Sequence, residues 1–240
     1  MYPLWQVIGV VKFTSPSRYR LDDVIQKSLY KLCGKSDIKI LDVGCGAMEY
    51  ADMIDAVMPG NVYLGIDIIE PNNKAHPFML YDAENLKEMV IKYDLILSIQ
   101  ALEHIRDDVK ALKGMAHCLK NDGVLLISLP SKYSFFLYLW HGYRRYSRMD
   151  ITLFAHENNL EIKELLPAGG LMSFILHIIL WSIPAFILNI KIWDYYKRHA
   201  LIMKTITRLE KLSLSVDRIF SLLPGSYVVI LTKKGSAPQR

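Results

Sequence analysis

Between residues 38 and 129 the chain carries five short, nearly continuous apolar runs: Ile38–Val43, Val62–Ile68, Phe78–Tyr81, Tyr93–Ile99 and Gly123–Leu129. Each ends in a turn or helix signal. Runs this short and this unbroken suit strands buried on both faces of a parallel sheet, because crossover helices cover both sides. The stretches between them, Tyr50–Met58, Ala83–Val90 and Asp107–Leu119, can be helical. Strand and helix therefore alternate, which predicts an α/β, doubly wound sheet. A helix around Asp22–Leu32 precedes it, with Leu21, Val24, Ile25, Leu29 and Leu32 at helical spacing.

Beyond Leu129 the pattern changes. Ser147 stands three residues before Asp150, a capping-box-like start for a helix to about Glu157. Strand candidates follow at Leu160–Leu166 and Ser226–Lys233, with a long stretch between them that no ordinary crossover needs. The expected organisation is an N-terminal segment and helix over 1–36, an α/β domain over 37–170 and 224–240, and an inserted helical element, hydrophobic then amphipathic, over 171–223. Three cysteines, Cys33, Cys45 and Cys118, form an odd count without CxxC spacing. That argues against a disulfide framework or a zinc site and for a reducing compartment, with no metal expected. The N-terminus lacks the charged region and apolar core of a signal peptide, so the expected location is cytoplasmic.

The first strand runs into a turn, Ile40-Leu41-Asp42-Val43-Gly44-Cys45-Gly46. Two glycines there let the backbone approach a ligand, and a following helix would offer free N–H groups. A nicotinamide fingerprint would need a third glycine where Glu49 stands. Further pieces recur in order: Gly65-Ile66-Asp67-Ile68, then Tyr81-Asp82-Ala83-Glu84-Asn85-Leu86, then Tyr93–Ser98 with Gln100-Ala101-Leu102-Glu103-His104-Ile105. Leu119-Lys120-Asn121-Asp122-Gly123 and the basic-aromatic stretch His141, Arg144-Arg145-Tyr146-Ser147 complete the series.

Taken together, these motifs resemble the class I S-adenosylmethionine-dependent methyltransferases over roughly Lys35 to Leu166 and the last strand. The resemblance implies a Rossmann-like seven-stranded sheet, mostly parallel with the last strand antiparallel, and S-adenosyl-L-methionine as cofactor. It implies cofactor contacts from Asp42, Gly44, Cys45, Gly46, Asp67, Ile68, Asp82, Ala83, Ser98 and Gln100, with Asp67 on the ribose hydroxyls. Met48 departs from the pattern, since many members have a further glycine there. A side chain at that position is expected to narrow the pocket floor or shift the turn.

Methyl transfer from a sulfonium asks the protein mainly to orient donor and acceptor and exclude water. A base is needed only for a protonated acceptor. The candidates are His104, at the sheet edge where ligands bind in such folds, and His141. The plainer reading has His104 shaping the cofactor pocket. Glu103, Arg145 and Tyr146 are the candidate acceptor-binding residues, Arg145 being suited to a phosphate or carboxylate. Their plainer reading is a solvated loop entering the Ser147 helix.

Residues 171–190 contain no charged side chain. As a helix they would reach about 30 Å, a bilayer's hydrocarbon thickness. One crossing would strand Ser226–Lys233 on the wrong side of a membrane, so a hairpin broken at Pro184, an interfacial anchor, or a lid or dimer surface remain. Ile202, Ile206, Leu209, Leu212, Val216, Ile219 and Leu223 recur at helical spacing, with Lys191, Lys197, Arg198, Lys204, Arg208, Lys211 and Arg218 beside them. The net charge of +5 is modest and by itself points to no specific partner; it is this basic cluster beside an apolar surface that favours an anionic membrane face, against the plainer reading of an amphipathic cover packed on the protein's own core. The expected acceptor is therefore small, lipophilic or lipid-linked, with peripheral or monotopic contact at the inner membrane face. A scaffold that retains the fold without turnover is the competing reading. Nucleic acid is not expected, because no basic stripe with interleaved aromatics appears outside Arg144–Arg148. The position where amino-methylating DNA enzymes carry their motif reads Ser98-Ile99-Gln100-Ala101.

Overall fold

The computed structural model describes residues 16–32, 37–72, 75–136, 142–188, 205–206, 208–209, 212–213, 216–217 and 224–235. The predicted strands form in place: β1 (Lys39–Val43), β2 (Val62–Asp67), β3 (Phe78–Leu80), β4 (Tyr93–Ile99), β5 (Leu119–Pro130), β6 (Leu160–Ala168) and β7 (Ser226–Lys233). They make one sheet in the order β3-β2-β1-β4-β5-β7-β6. β1 to β5 pair in parallel, and β7 inserts antiparallel between β5 and β6.

Alternation along each strand sorts neighbouring residues onto opposite faces. Ile40, Leu95, Leu97, Val228 and Ile230 belong to one core, and Leu41, Ile96, Leu125, Val229 and Leu231 to the other. The first core receives helices α1 (Pro16–Leu32) and α2 (Ala51–Val57) through Ile25, Leu29 and Ile54. The second receives α3 (Asp108–Cys118) and α4 (Arg148–Glu157) through Leu112, Met115 and Ile151. Both faces are covered, which is why the central strands read as unbroken apolar runs. β3 pairs on one side only and is correspondingly short and partly exposed.

α1 starts at Pro16, earlier than the apolar spacing indicates, because proline is well placed in a first turn where its missing N–H costs nothing. Ala83–Glu88 is a 3-10 turn rather than an α-helix, capped by Asp82, whose Oδ1 accepts from Glu84 N–H at 2.9 Å. The Ser147 cap forms as expected, with Asp150 N–H donating to Ser147 Oγ and Ser147 N–H to Asp150 Oδ2.

The apolar insertion begins as α5 (Leu171–His177), continues through a π turn (Ile178–Ser182) and returns to α-helix as α6 (Ile183–Leu188). Pro184 lies inside α6 and does not break the chain into a hairpin. The reason is the π turn just before it: Ile183 N–H donates five residues back to the Ile178 carbonyl, loosening the turn that a proline ring would otherwise crowd. Among the described residues no helix is long and apolar enough to cross a membrane. α5 packs on α1 and buries Ser173 and His177. Burial pushes the His177 imidazole down to about 4, so it is neutral at pH 7.

In the following segment Ile206 is buried as the helical spacing predicts, but Leu212 is 63% exposed, and Ser213 and Asp217 are buried instead. The physical cause is the start of α5. Asp217 accepts hydrogen bonds from Met172 N–H at 2.8 Å and Ser173 N–H at 3.0 Å, so this polar side chain is held inward.

Candidate functional site

In an open α/β sheet the ligand crevice lies at the carboxyl ends of the strands, where the strand order reverses. Here that point falls between β1 and β4, since β2 and β4 flank β1. A cavity of about 540 Å³ opens there, lined by residues following β1, β2, β3 and β4. Its size suits a cofactor or small ligand.

The glycine turn forms one wall. Gly44 N–H and Cys45 N–H both donate to the Ile66 carbonyl, at 2.9 and 3.1 Å, which folds the turn onto β2. Gly44 has φ +73°, and a Cβ there would stand 2.4 Å from Ala101 Cβ. No other residue permits the two loops to close. Asp67, at the tip of β2, accepts from Gly46 N–H at 2.9 Å through one oxygen and from Ile69 N–H at 3.0 Å through the other. Both oxygens keep lone pairs at the cavity edge, a donor-seeking arrangement suited to a pair of hydroxyls. Ile68, Asp82 and Ala83 line the next portion.

Opposite them, Gln100 lies in the left-handed region at φ +50°. Its N–H donates to the Ser128 hydroxyl at 3.0 Å, and its side-chain amide to the same hydroxyl at 3.2 Å. A non-glycine residue held there costs roughly 1–2 kcal/mol, a strain typical of ligand sites. His104 lines the cavity beyond Ala101. Burial, helped by the charge on Arg145, holds its imidazole below the ordinary 6.5. It is therefore a neutral proton acceptor at pH 7.

The loop after β4 is fastened from outside. Tyr146 O–H donates to Asp108 Oδ2 at 2.8 Å, and the Arg144 guanidinium donates to the Ile105 and Arg106 carbonyls at 2.7 and 2.6 Å. Tyr143 N–H reaches the Glu103 carbonyl at 2.7 Å. Gly142 adopts φ +68°, where a Cβ would meet Glu103 Cγ at 2.7 Å. This clasp sets where His104 and Arg106 face.

Among the residues assigned from sequence, Gly44, Asp67, Ile68, Asp82, Ala83, Gln100 and His104 meet in one cavity. Others stand elsewhere. Asp42 is 2% exposed and accepts from Tyr63 O–H at 2.8 Å beneath the turn. Burial pushes its carboxyl up to about 7 against the opposing effect of that bond. Cys45 packs in the core, its thiol pushed up to about 12 by burial and by the Asp42 charge. Gly46 serves through its amide, and Ser98 is sealed inside β4. Tyr146 is buried against Asp108 and Glu103 is wholly buried, so neither lines the cavity. Arg145 donates to the Arg144 carbonyl at 2.7 Å and acts on His104 through its charge. His141 lies outside the described residues. Met48 does not narrow the floor: at φ +56° it turns its side chain into the core, 4% exposed. Tyr81, Glu84, Ile105, Arg106 and Tyr143 also line the cavity and were not singled out from the sequence. The only signal for Arg106 and Tyr143 was nearness to a motif, since loops have no periodicity that tells which side faces inward.

The geometry fits S-adenosylmethionine: a carboxylate edge for ribose hydroxyls, a backbone turn that admits close approach, and apolar walls for a flat ring. A methyltransferase-domain family model matches residues 14–175. A protein of Mycobacterium tuberculosis (strain CDC 1551 / Oshkosh), described as "Probable S-adenosylmethionine-dependent methyltransferase MT3114", is 25% identical over 122 residues, covering 49% of this chain and 44% of that protein. Carnosine N-methyltransferase 2 of Gallus gallus is 30% identical over 139 residues, 46% of this chain and 43% of its own length. This chain thus spans less than half the length of these curated relatives. In fold, it is similar to a S-adenosylmethionine-dependent methyltransferase from Archaeoglobus fulgidus, with TM-score 0.59 and 15% identity over 91% of this chain and 95% of that one.

Proposed function

We propose that this chain, which belongs to the class I S-adenosylmethionine-dependent methyltransferase family, transfers the cofactor's methyl group to a small lipophilic or lipid-linked acceptor. The observation that carries the transfer is the meeting of Asp67, the Gly44 turn and His104 around one cavity at the β1/β4 switch point. Bound there, S-adenosylmethionine supplies an electrophilic methyl on a sulfonium. The chain's own residues do the rest. Asp67 takes the hydroxyl pair and fixes the donor's position along the sheet edge. Asp82, Ala83 and Ile68 confine the adenine end, and Gly44, too close to Ala101 to carry a side chain, lets the turn approach the donor. Holding donor and acceptor together in this way can supply several kcal/mol of the barrier.

An acceptor with an O–H or N–H must lose a proton as the methyl arrives. His104 stands at the cavity in its neutral form and accepts that proton. Its lowered pKa predicts a rate that is flat near pH 7 and falls only below the ordinary imidazole range. A steady-state pH profile with a midpoint at or above 6.5 would exclude it as the base.

The lipophilic acceptor and a peripheral contact through 171–223 at the inner membrane face are supported by the exposed apolar side chains of α5 and α6. The first test is calorimetry of S-adenosylmethionine and S-adenosylhomocysteine with wild type and Asp67→Ala. Wild type should bind both, and the variant should lose roughly ten-fold or more, about 1.4 kcal/mol. Absence of binding to folded wild type would overturn the proposal and favour a scaffold.

A further inference from the structure

His104 reaches the cofactor cavity from a turn of only three residues, Leu102–His104. The turn closes on itself with His104 N–H on the Ala101 carbonyl at 2.9 Å and Ile105 N–H on the Leu102 carbonyl at 3.2 Å. A 3-10 turn of this length has poor bond geometry and little stiffness of its own. Helix α3 takes up the chain again at Asp107, whose carbonyl accepts from Ala111 N–H at 3.0 Å. The carbonyls of Ile105 and Arg106 fall between the turn and the helix, and neither element uses them.

Arg144 supplies what the local chain lacks. Its Nη1 donates to the Ile105 carbonyl at 2.7 Å and its Nη2 to the Arg106 carbonyl at 2.6 Å. One planar fork on two neighbouring carbonyls fixes direction as well as distance. The third edge of the guanidinium is also engaged, with Nε 3.5 Å from Asp108 Oδ1. Asp108 is fixed in turn, accepting from Val109 N–H at 3.0 Å and from Tyr146 O–H at 2.8 Å. Tyr146 N–H donates to the Pro130 carbonyl at 2.9 Å, which roots this stretch in the end of β5. Tyr143 N–H adds a bond to the Glu103 carbonyl at 2.7 Å. Residues 143–146 thus form a strap from the sheet to both sides of His104, gripping Glu103 before it and Ile105 and Arg106 after it.

The donor side of the cavity is held by other bonds. Gly44 is tied to Ile66, Asp67 to Gly46 and Ile69, and Asp82 to Glu84. His104 shares the cavity with the charged groups of Asp67, Asp82, Glu84 and Arg106, while Arg145 stands on the strap, its Nη1 on the Arg144 carbonyl. Burial first, and the Arg145 charge second, keep the imidazole below its ordinary range. Both causes depend on the strap: loosening it would admit water to the turn and release Arg145 along with it.

We propose that Arg144 is a positioning residue for His104, its fork on the Ile105 and Arg106 carbonyls fixing the imidazole in the cavity without contributing to cofactor affinity. The consequence for catalysis rests on the reading of His104 as proton acceptor, but the placement can be measured without turnover.

The test follows the His104 imidazole resonance of the ligand-free full chain against pH by NMR, assigned with His104→Gln. S-adenosylhomocysteine binding is measured by calorimetry in parallel. Wild type should titrate below 6.5. Arg144→Gln should return the midpoint to about 6.5 and change S-adenosylhomocysteine affinity by less than about two-fold. Arg144→Lys keeps the charge but cannot span both carbonyls, so it should restore the wild-type midpoint only in part. Tyr146→Phe, which only frees one oxygen of Asp108, should move the midpoint the same way by less, and serves if Arg144→Gln does not fold. A merely structural role would lower the unfolding temperature and leave the midpoint of the folded protein unmoved, and that result would overturn the proposal. Loss of S-adenosylhomocysteine affinity in step with the midpoint would also overturn it, by making the strap part of the cofactor site. Failure of wild type to bind S-adenosylhomocysteine strikes instead at the methyltransferase reading, and the midpoints then decide the strap alone.

Discussion

Asp67 and Asp217 do the same local chemistry in two regions and serve different ends. Each carboxylate accepts two backbone amides, Asp67 from Gly46 and Ile69, Asp217 from Met172 and Ser173. Asp67 stands at the edge of a ligand-sized cavity, whereas Asp217 is 2% exposed at the root of the insertion. The difference is the company each keeps. Around Asp67, glycines and a left-handed Gln100 hold the backbone open, so the carboxylate has capacity left for a ligand. Around Asp217, helix α5 closes over the oxygens, so the same bonds become an anchor between two stretches of chain. Binding and stability should therefore separate cleanly between the two regions.

The strongest attempt to break this comparison is Gly44→Val. Overpacking against Ala101 and a β-branched residue at φ +73° together should cost about 4 kcal/mol. It should also abolish cofactor binding; a denaturant melt and calorimetry report both, and unchanged binding would mean the turn does not shape the site.

Next comes Asp42→Asn. The Asp42 carboxyl moves from its ordinary 3.8 to about 7 on folding, so the native state holds its proton more tightly than the unfolded chain does. Stability is therefore lost as pH rises from about 4 through about 7, by about 4 kcal/mol. The amide stays neutral, so the variant's unfolding free energy should lack that fall when measured between pH 4 and 8. Parallel profiles for wild type and variant would show that Asp42 is ionised in the fold.

Asp217→Ala removes two capped amides from a buried site and should cost about 2 kcal/mol, with faster amide exchange at Met172 and Ser173 and unaltered S-adenosylhomocysteine affinity. Asp67→Ala sharpens the contrast from the other side. At the cavity edge it should change stability by under about 1 kcal/mol while it removes most of the cofactor affinity. If both variants moved stability and binding together, the two regions would be one cooperative unit.

Much of this is legible in the order of residues alone. Ser226–Lys233 forms a strand over the residues that its apolar run marks, and Ser147 and Asp150 cap α4 as their spacing indicates. Such signals are local: burial period and cap chemistry act within a few residues. Asp67, Asp82 and Gln100 were legible through motif order, because a strand end in a parallel sheet faces the crevice whatever surrounds it. Asp42 and Tyr146 were not. Each is claimed by a partner distant in sequence, Tyr63 and Asp108, which no spacing announces. Met48 likewise stands where a glycine is usual, yet its side chain has room in the core because α2 and β2 leave it there.

By itself, then, the order of residues determined the alternating α/β sheet, the strand that holds Asp67 and the family to which the chain belongs, since each follows from short-range pattern. Only the tertiary structure decided which polar groups face ligand and which face protein. Pro184 inside a continuous helix, Leu212 turned outward and Asp217 turned inward all depend on contacts between α5, α1 and the segment before β7. A hydrogen bond from a helix start or a neighbouring strand outweighs a propensity of a few tenths of a kcal/mol, so the final orientation is set by whichever partner the fold brings near.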